Sequence, residues 1–456
     1  MIYGIVTAFL KLVTKVFFRQ IEVVGQHHIP KDQPLIFVGN HPNSLLDPVM
    51  IITNGGRRIS FAAKDTLFQY LPLRMIFAAL GAVPIRRKQD HKNTKQIDNA
   101  TAFDALFEVL RNNGCMGIFP EGISHISSEL APLKTGAARI ALGAFKQLEP
   151  GQVIHIIPCG LTYKSRRRMR TSALVQFGNA IPIDIGWQQK YEHEAQATSK
   201  ELTTLIDDRL RALTINAPDF ETLRILNTAR RIYQPIDNQL SIEEHNLLMR
   251  RFIDHYDRLK ENPEIRKIFS ELGAFRYEMD IAGLNDHQLT HLQDNRKLLR
   301  KMIRHFLLFC CYLPLALPGF IIHFPILVLA IFTGEGLSPR KDVIATTKMM
   351  IATFCTLMAY LALPCLPLAL WPWPLGIYIS GYLFILLPTT GWCTVRVLER
   401  QAFFRRGFGI WLKLLKNKEL LRYLREERQR LQQKVQELVE KYVDPALPRV
   451  VPKRKN

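Results

Sequence analysis

Residues 35–52 read "LIFVGNHPNSLLDPVMII". An apolar run with no polar break leads into Asn40 and His41, Pro42 closes it, and apolar residues resume around Asp47. A short unbroken run of this kind suits a strand buried on both faces of a largely parallel sheet. Pro42 keeps His41 out of the helical region, and Asn43 and Ser44 favour a turn or a helix start, so His41 falls at the carboxyl end of the strand. Ligands of open α/β sheets bind at that edge. A histidine there can take a proton from a hydroxyl near neutral pH if a carboxylate fixes its tautomer. Residues six apart lie about 240° around a regular helix, so His41 and Asp47 meet only if the chain between them turns. The same spacing also fits Asp47 as a helix N-cap ahead of Pro48.

Working outward, "PLIFVG", "RISFAA", "GCMGIFP", "VIHIIPCGL" and "ALVQFG" alternate with helical stretches such as "TGAARIALGAFKQL". This alternation predicts an α/β domain over 21–190, a largely parallel sheet flanked by helices. From 191 to 303 the chain becomes polar and charge-rich, which predicts an α-helical annex. Residues 1–20 space Lys11, Lys15 and Arg19 four apart opposite Ile2, Val6, Phe9, Leu10, Val13, Val16 and Phe17, the pattern of an interfacial amphipathic helix rather than a cleaved leader.

Residues 305–334 and 349–395 carry no formal charge, so 304–396 reads as membrane-embedded. The first stretch is too short for two spans and has basic residues at both ends (Arg300, Lys301 and Arg304; Arg340, Lys341 and Lys348), which predicts a re-entrant hairpin over 305–334. Residues 351–395 suffice for a two-span hairpin turning at "WPWP", with the flanks and the catalytic domain cytoplasmic. Residues 397–456 read as a basic helix and tail. Leu424, Leu431 and Leu438 repeat by sevens there, but Arg428 interrupts the seam, which favours a solvated or membrane-surface helix.

The chain has 456 residues, 48% of them apolar, and a net charge of +21. The basic residues crowd beside apolar segments rather than forming an aromatic-interleaved groove, which speaks against nucleic acid and for an anionic bilayer and phosphorylated substrates. Seven cysteines without a C-x-x-C pair give neither a disulfide framework nor a zinc site, and no metal or cofactor is expected.

Three further stretches carry chemistry. "GIFPEGISH" (117–125) runs a strand into a tight turn where Glu121 can accept hydrogen bonds from a polyol and Gly122 admits close backbone approach. "GAVPIRR" (81–87) ends in Arg86 and Arg87, and "APLKTGAAR" sets Lys134 before a helix start. "YKSRRRMR" (163–170) adds a basic run, about half of it read as solvated loop. Arginine forks and helix N-termini suit phosphate.

In this order the stretches resemble the blocks of the glycerolipid acyltransferase family: "NHPNSLLD", "GAVPIRR", "FPEG" and "IIPCGL". Five residues rather than four separate His41 from Asp47, and Ile123 and Ser124 replace the threonine and arginine that usually follow the third block. Both departures are similar to the membrane-bound branch acting on glycerol-3-phosphate and dihydroxyacetone phosphate. The resemblance implies a glycerol-3-phosphate acyltransferase-like domain in which His41 is the base and Asp47 orients it. It also implies that Arg86 and Lys134 bind phosphate with Arg87 as helper, that Glu121 and Gly122 shape the glycerol pocket, and that Lys134 or Arg139 replaces the contact missing at Ser124. The implied donor is acyl-CoA or acyl carrier protein, a co-substrate rather than a cofactor. The implied acceptor is glycerol-3-phosphate or, as the alternative, lysophosphatidate. The oxyanion stabiliser is not identified by sequence.

Overall fold

The computed structural model describes residues 1–87, 99–148, 151–234, 240–284, 286, 289, 295–416 and 418–442. They divide into two units: Met1–Asp219 with Ser241–Asn246 and Pro339–Thr346, and Phe220–Leu240 with Leu247–Ser338 and Thr347–Asn456. The first unit thus continues past the boundary at 190 expected from composition.

In the first unit, β1 (Gln20–Val24), β2 (Leu35–Gly39), β3 (Ile59–Lys64), β4 (Val83–Ile85), β5 (Cys115–Ile118), β6 (Ile154–Tyr163), β7 (Ser172–Phe177) and β8 (Ile181–Ile183) form one sheet in the order β1-β7-β6-β2-β5-β3-β4, with β8 paired to β6. β2 lies between β5 and β6, parallel to both. All of Leu35–Gly39 is therefore buried, as its unbroken apolar run requires. Ile36 and Val38 face a core that includes Leu106 and Leu110 of α4 (Ala100–Arg111), Ile140 and Leu142 of α5 (Gly136–Phe145), and Leu202, Ile206 and Leu210 of α7 (Ala195–Arg211). The polar-looking stretch after 195 hence closes the sheet rather than beginning an annex. Phe37, on the opposite face, meets Phe177 edge-on at 6.1 Å.

α1 (Ile2–Phe17) packs against α2 (Leu46–Asn54) and α3 (Leu71–Leu80). Phe17 is buried, while Ile2, Ile5, Leu12 and Val16 stay exposed, as do Leu71, Met75 and Ile76 of α3. Part of the apolar face expected to meet a bilayer is thus used for packing and part is open.

In the second unit, α8 (Phe220–Tyr233), α10 (Pro263–Ile281) and α14 (Lys418–Tyr442) share a core containing Ile225, Ile232, Leu272, Phe275, Leu421, Leu424, Leu431 and Val435. The heptad residues of α14 are packed rather than solvated. The interrupting Arg428 is buried with Nε on Asp286 Oδ1 at 2.7 Å, so its charge is paired. The tail at 443–456 lies outside the described residues.

Among the described residues three helices are long and apolar enough to cross a membrane: residues Leu299–Gly336 of α11 (Asn295–Gly336), α12 (Ile344–Leu370), and Leu375–Arg405 of α13 (Leu375–Lys416). The hairpin expected over 305–334 is not formed, because α11 runs through Pro314, Pro318 and Pro325 as one helix. Each proline removes one backbone hydrogen bond. Neighbouring helices can compensate for this in an apolar setting, and α11 packs closely on α13 around Ala316, Cys393 and Val397. "WPWP" lies between α12 and α13.

Candidate active site

The turn after β2 delivers the pair with which the sequence opened. Ser44, at φ 48°, reverses the chain so that Asp47 enters the first turn of α2 facing back towards the strand end. His41 Nδ1 lies 2.9 Å from Asp47 Oδ2, which also accepts the Asn43 backbone N–H at 2.6 Å. Tyr163 donates its hydroxyl to Asp47 Oδ1 at 2.7 Å. Asp47 is fully buried and makes no N-cap, so of the two readings of the spacing the orienting carboxylate is the one realised. Burial pushes its carboxyl above the ordinary aspartate range, against the three donors that pull it back. Tyr163 is raised well above the usual phenol value, first by burial and then by the neighbouring Asp47, so it remains a donor. His41 Nε2 has no hydrogen-bond partner among the described residues.

The imidazole is also held by its face. It stacks on Phe119 with ring centres 4.1 Å apart and planes 6° apart, and Phe119 stacks on Phe61 at 5.3 Å. Phe61 lies over Gly117 of β5, where a Cβ would come within 2.3 Å of the ring. Asn40 secures the strand end, donating to Leu161 O and accepting from Leu161 N–H on β6.

Because β5 runs parallel to β2, its following turn reaches the same edge. Glu121 Oε1 accepts the His41 backbone N–H at 2.7 Å, and Oε2 accepts Ala131 N–H at 3.0 Å and meets His125 Nε2. These bonds fix the turn, and Glu121 also lines the cleft beside His41. Gly122 has φ 73°, and a Cβ there would lie 2.5 Å from Lys134 Nζ, so the lysine crosses the glycine closely. Arg87 Nη1 donates to Gly122 O at 2.8 Å. Arg86 points elsewhere: its side chain is exposed with no hydrogen-bond partner among the described residues, and only its backbone is bound, to Asn99. Neighbouring residues of an extended chain alternate in direction, so it is Arg87 that reaches the Gly122 turn. Arg139 stacks over Phe103 and shows no contact with Ser124.

A small cleft opens beside His41 and Glu121, lined also by His125, Ser127, Arg166 and Asn216. Arg166 donates Nη2 to Ser127 O at 3.0 Å and accepts the Asn43 side-chain amide on its carbonyl. Its Nη1 and Asn43 Oδ1 are buried without partners, and buried polar groups are rarely left so unless water or a ligand meets them. Arg166 lies in the basic run 163–170 that the sequence reading pointed to for phosphate, whereas Tyr163 was not singled out. The signal for Tyr163 was its place at the end of a buried strand, since a buried tyrosine hydroxyl requires an acceptor. Among the described residues no group of His, Cys, Asp and Glu could hold a metal ion.

An oriented imidazole at the carboxyl edge of a parallel sheet, bordered by cations, is an arrangement that can take a proton from a hydroxyl and hold an anionic group nearby. Residues 20–162 match the acyltransferase family model, and residues 225–447 match that of the glycerol-3-phosphate acyltransferase 2 C-terminal domain. Glycerol-3-phosphate O-acyltransferase 2 of Saccharomyces cerevisiae is 32% identical over 284 residues, covering 59% of this chain and 38% of that protein. Glycerol-3-phosphate O-acyltransferase 1 of the same yeast is 25% identical over 448 residues, covering 77% of this chain and 59% of that protein. This chain thus spans less than two thirds of either relative. The 1-acyl-sn-glycerophosphate acyltransferase structure from Thermotoga maritima is 18% identical with a TM-score of 0.32, covering 44% of this chain and 79% of that one. Over most of its length the chain is thus similar to acyltransferases, glycerol-3-phosphate O-acyltransferases among them.

Proposed function

We propose that the chain transfers a fatty acyl group from the thioester of acyl-CoA or acyl carrier protein to the 1-hydroxyl of glycerol-3-phosphate, at the cytoplasmic face of a membrane. The observation that carries this is the His41–Asp47–Tyr163 chain of hydrogen bonds, which fixes one imidazole nitrogen and leaves the other unpaired beside an open cleft. Nε2 takes the proton of the acceptor hydroxyl as its oxygen attacks the thioester carbonyl. The C–O bond forms, the C–S bond breaks, and the imidazolium returns the proton to the departing sulfur. Arg166, whose Nη1 is buried without a partner, donates to the oxyanion in this reading. Lys134 and Arg87, around Gly122, are the cations for the acceptor phosphate. The apolar helices α11–α13 retain the product-forming unit at the bilayer, where the acylated product partitions.

The test is transfer by purified full-length protein in lipid nanodiscs, with acyl-CoA and acyl carrier protein each offered glycerol-3-phosphate and lysophosphatidate. Transfer to glycerol-3-phosphate that His41→Ala abolishes is the expected result. Transfer to lysophosphatidate alone would move the reading to the second acylation step, and transfer surviving within a few-fold in His41→Ala would end the general-base assignment.

A further inference from the structure

What the fold brings to Ser124 comes from far along the chain. Its buried hydroxyl donates to Asp342 Oδ2 at 2.5 Å. Arg340 Nη2 donates to Ser124 Oγ at 2.8 Å and to Asp342 Oδ2 at 2.7 Å. Both residues belong to Pro339–Thr346, the segment that follows α11 in sequence and folds as part of the first unit. The same segment reaches the other half of the site, since Thr346 Oγ1 donates to Asn43 O at 3.4 Å. Asn43 is the residue whose backbone N–H holds Asp47. One short stretch therefore touches both the turn that carries His41 and the turn that carries Glu121.

The pairing is lopsided in a way that a simple structural ion pair does not require. The Asp342 side chain is 5% exposed and that of Arg340 is 53% exposed. Ser124 and Asp342 both engage Nη2, so Nε and Nη1 have no partner among the described residues. A buried carboxylate behind a guanidinium fixes its plane and leaves its outer edge open. That edge is the fork with which arginine takes two oxygens of a phosphate. Arg87 on Gly122 O and Lys134 across Gly122 flank the same turn two residues away. Cations from three separate parts of the chain thus border residues 122–124.

We propose that Arg340 is a ligand of the acceptor's phosphate and that Asp342 and Ser124 are the positioning residues that aim it. The inference rests on the reading that the acceptor is a phosphorylated polyol. It makes the segment between the first two apolar helices part of the substrate site.

The test uses full-length protein in nanodiscs with two readouts, stabilisation against thermal unfolding as glycerol-3-phosphate is titrated, and steady-state transfer. In Arg340→Ala the midpoint of stabilisation and the KM for glycerol-3-phosphate both rise at least tenfold, while the KM for acyl-CoA stays within twofold and Arg340→Lys recovers part of the loss. Lys341→Ala, the exposed neighbour, leaves both constants unchanged. Arg340→Ala leaves the buried Asp342 without its cation, so the double variant Arg340→Ala/Asp342→Asn guards against misfolding and shows the same weakened midpoint. An unchanged midpoint in a folded Arg340→Ala or double variant, with wild type responding normally, overturns this inference and leaves the proposed function standing. A wild type that is neither stabilised by glycerol-3-phosphate nor active on it overturns both.

Discussion

Replacing Asp47 by asparagine separates charge from geometry at the base. Asp47 Oδ2 accepts the Asn43 N–H and the His41 Nδ1–H, while Oδ1 accepts the Tyr163 hydroxyl. The backbone N–H cannot reverse, so an amide seats its oxygen at the Oδ2 position and turns its NH2 towards Tyr163, whose hydroxyl can rotate to accept. The bond to His41 Nδ1 and its tautomer then survive, and what disappears is the negative charge opposing the imidazolium. Unit charges about 4 Å apart at an effective dielectric of about 20 attract by about 4 kcal/mol. At about 1.36 kcal/mol per tenfold in rate, kcat/KM should fall about a thousandfold. Stability should move differently. Burial raises the Asp47 carboxyl above its ordinary range, so the folded state holds that proton more tightly than the unfolded state. The contribution to stability falls as pH rises from the unfolded value through the folded one, and the cost is fully present at neutral pH. Asp47→Asn should therefore unfold at the wild-type temperature or above it at neutral pH, with the advantage fading as the pH drops below the ordinary aspartate range. The measurements are pH profiles of transfer and of thermal unfolding on both proteins. A loss under tenfold, or a clear drop in unfolding temperature at neutral pH, would refute the reasoning.

Gly117→Ala puts a methyl group into the Phe61 ring; overpacking of this kind costs about 1–3 kcal/mol, and the displaced stack disturbs His41, so both unfolding temperature and kcat fall. Wild-type stability in that variant would show that the ring has room to move. Arg87→Ala should raise the KM for the phosphorylated acceptor more than Arg86→Ala does, because only Arg87 is bonded to the Gly122 turn; equal effects would contradict the placement. With native cysteines removed, single cysteines at Ser338 and Trp373 lie at opposite ends of α12 and should react with an impermeant thiol reagent from opposite faces of the membrane. Labelling of both from one face would mean that α12 does not cross.

The central strand and the histidine at its end were legible because burial on both faces leaves an unbroken apolar run, and a following proline marks where it stops. The partner of Asp47 at Tyr163 was not, because the contact joins residues 116 apart and depends on β6 continuing beyond β2 to pair with β7. Which of Arg86 and Arg87 meets the 121–124 turn was hidden for a related reason: adjacent side chains point oppositely, and sequence does not say which face is turned inward. The three prolines in α11 looked like breaks, yet in a packed apolar helix a missing backbone hydrogen bond need not stop the chain. Arg340 appeared as a flanking charge of a membrane segment, since no local pattern connects it to a serine 216 residues earlier.

The parallel stacking of His41 on Phe119 has a spectroscopic consequence. Protons on an imidazole lying flat over a benzene ring sit in its shielding zone, so their resonances move upfield from those of a solvated histidine. The chain has 13 histidines, and a signal displaced in this way, and restored by replacing Phe119 with leucine, would single out the one at the strand end. The protonation of the base could then be followed in the resting protein, with neither substrate present and without waiting for a turnover.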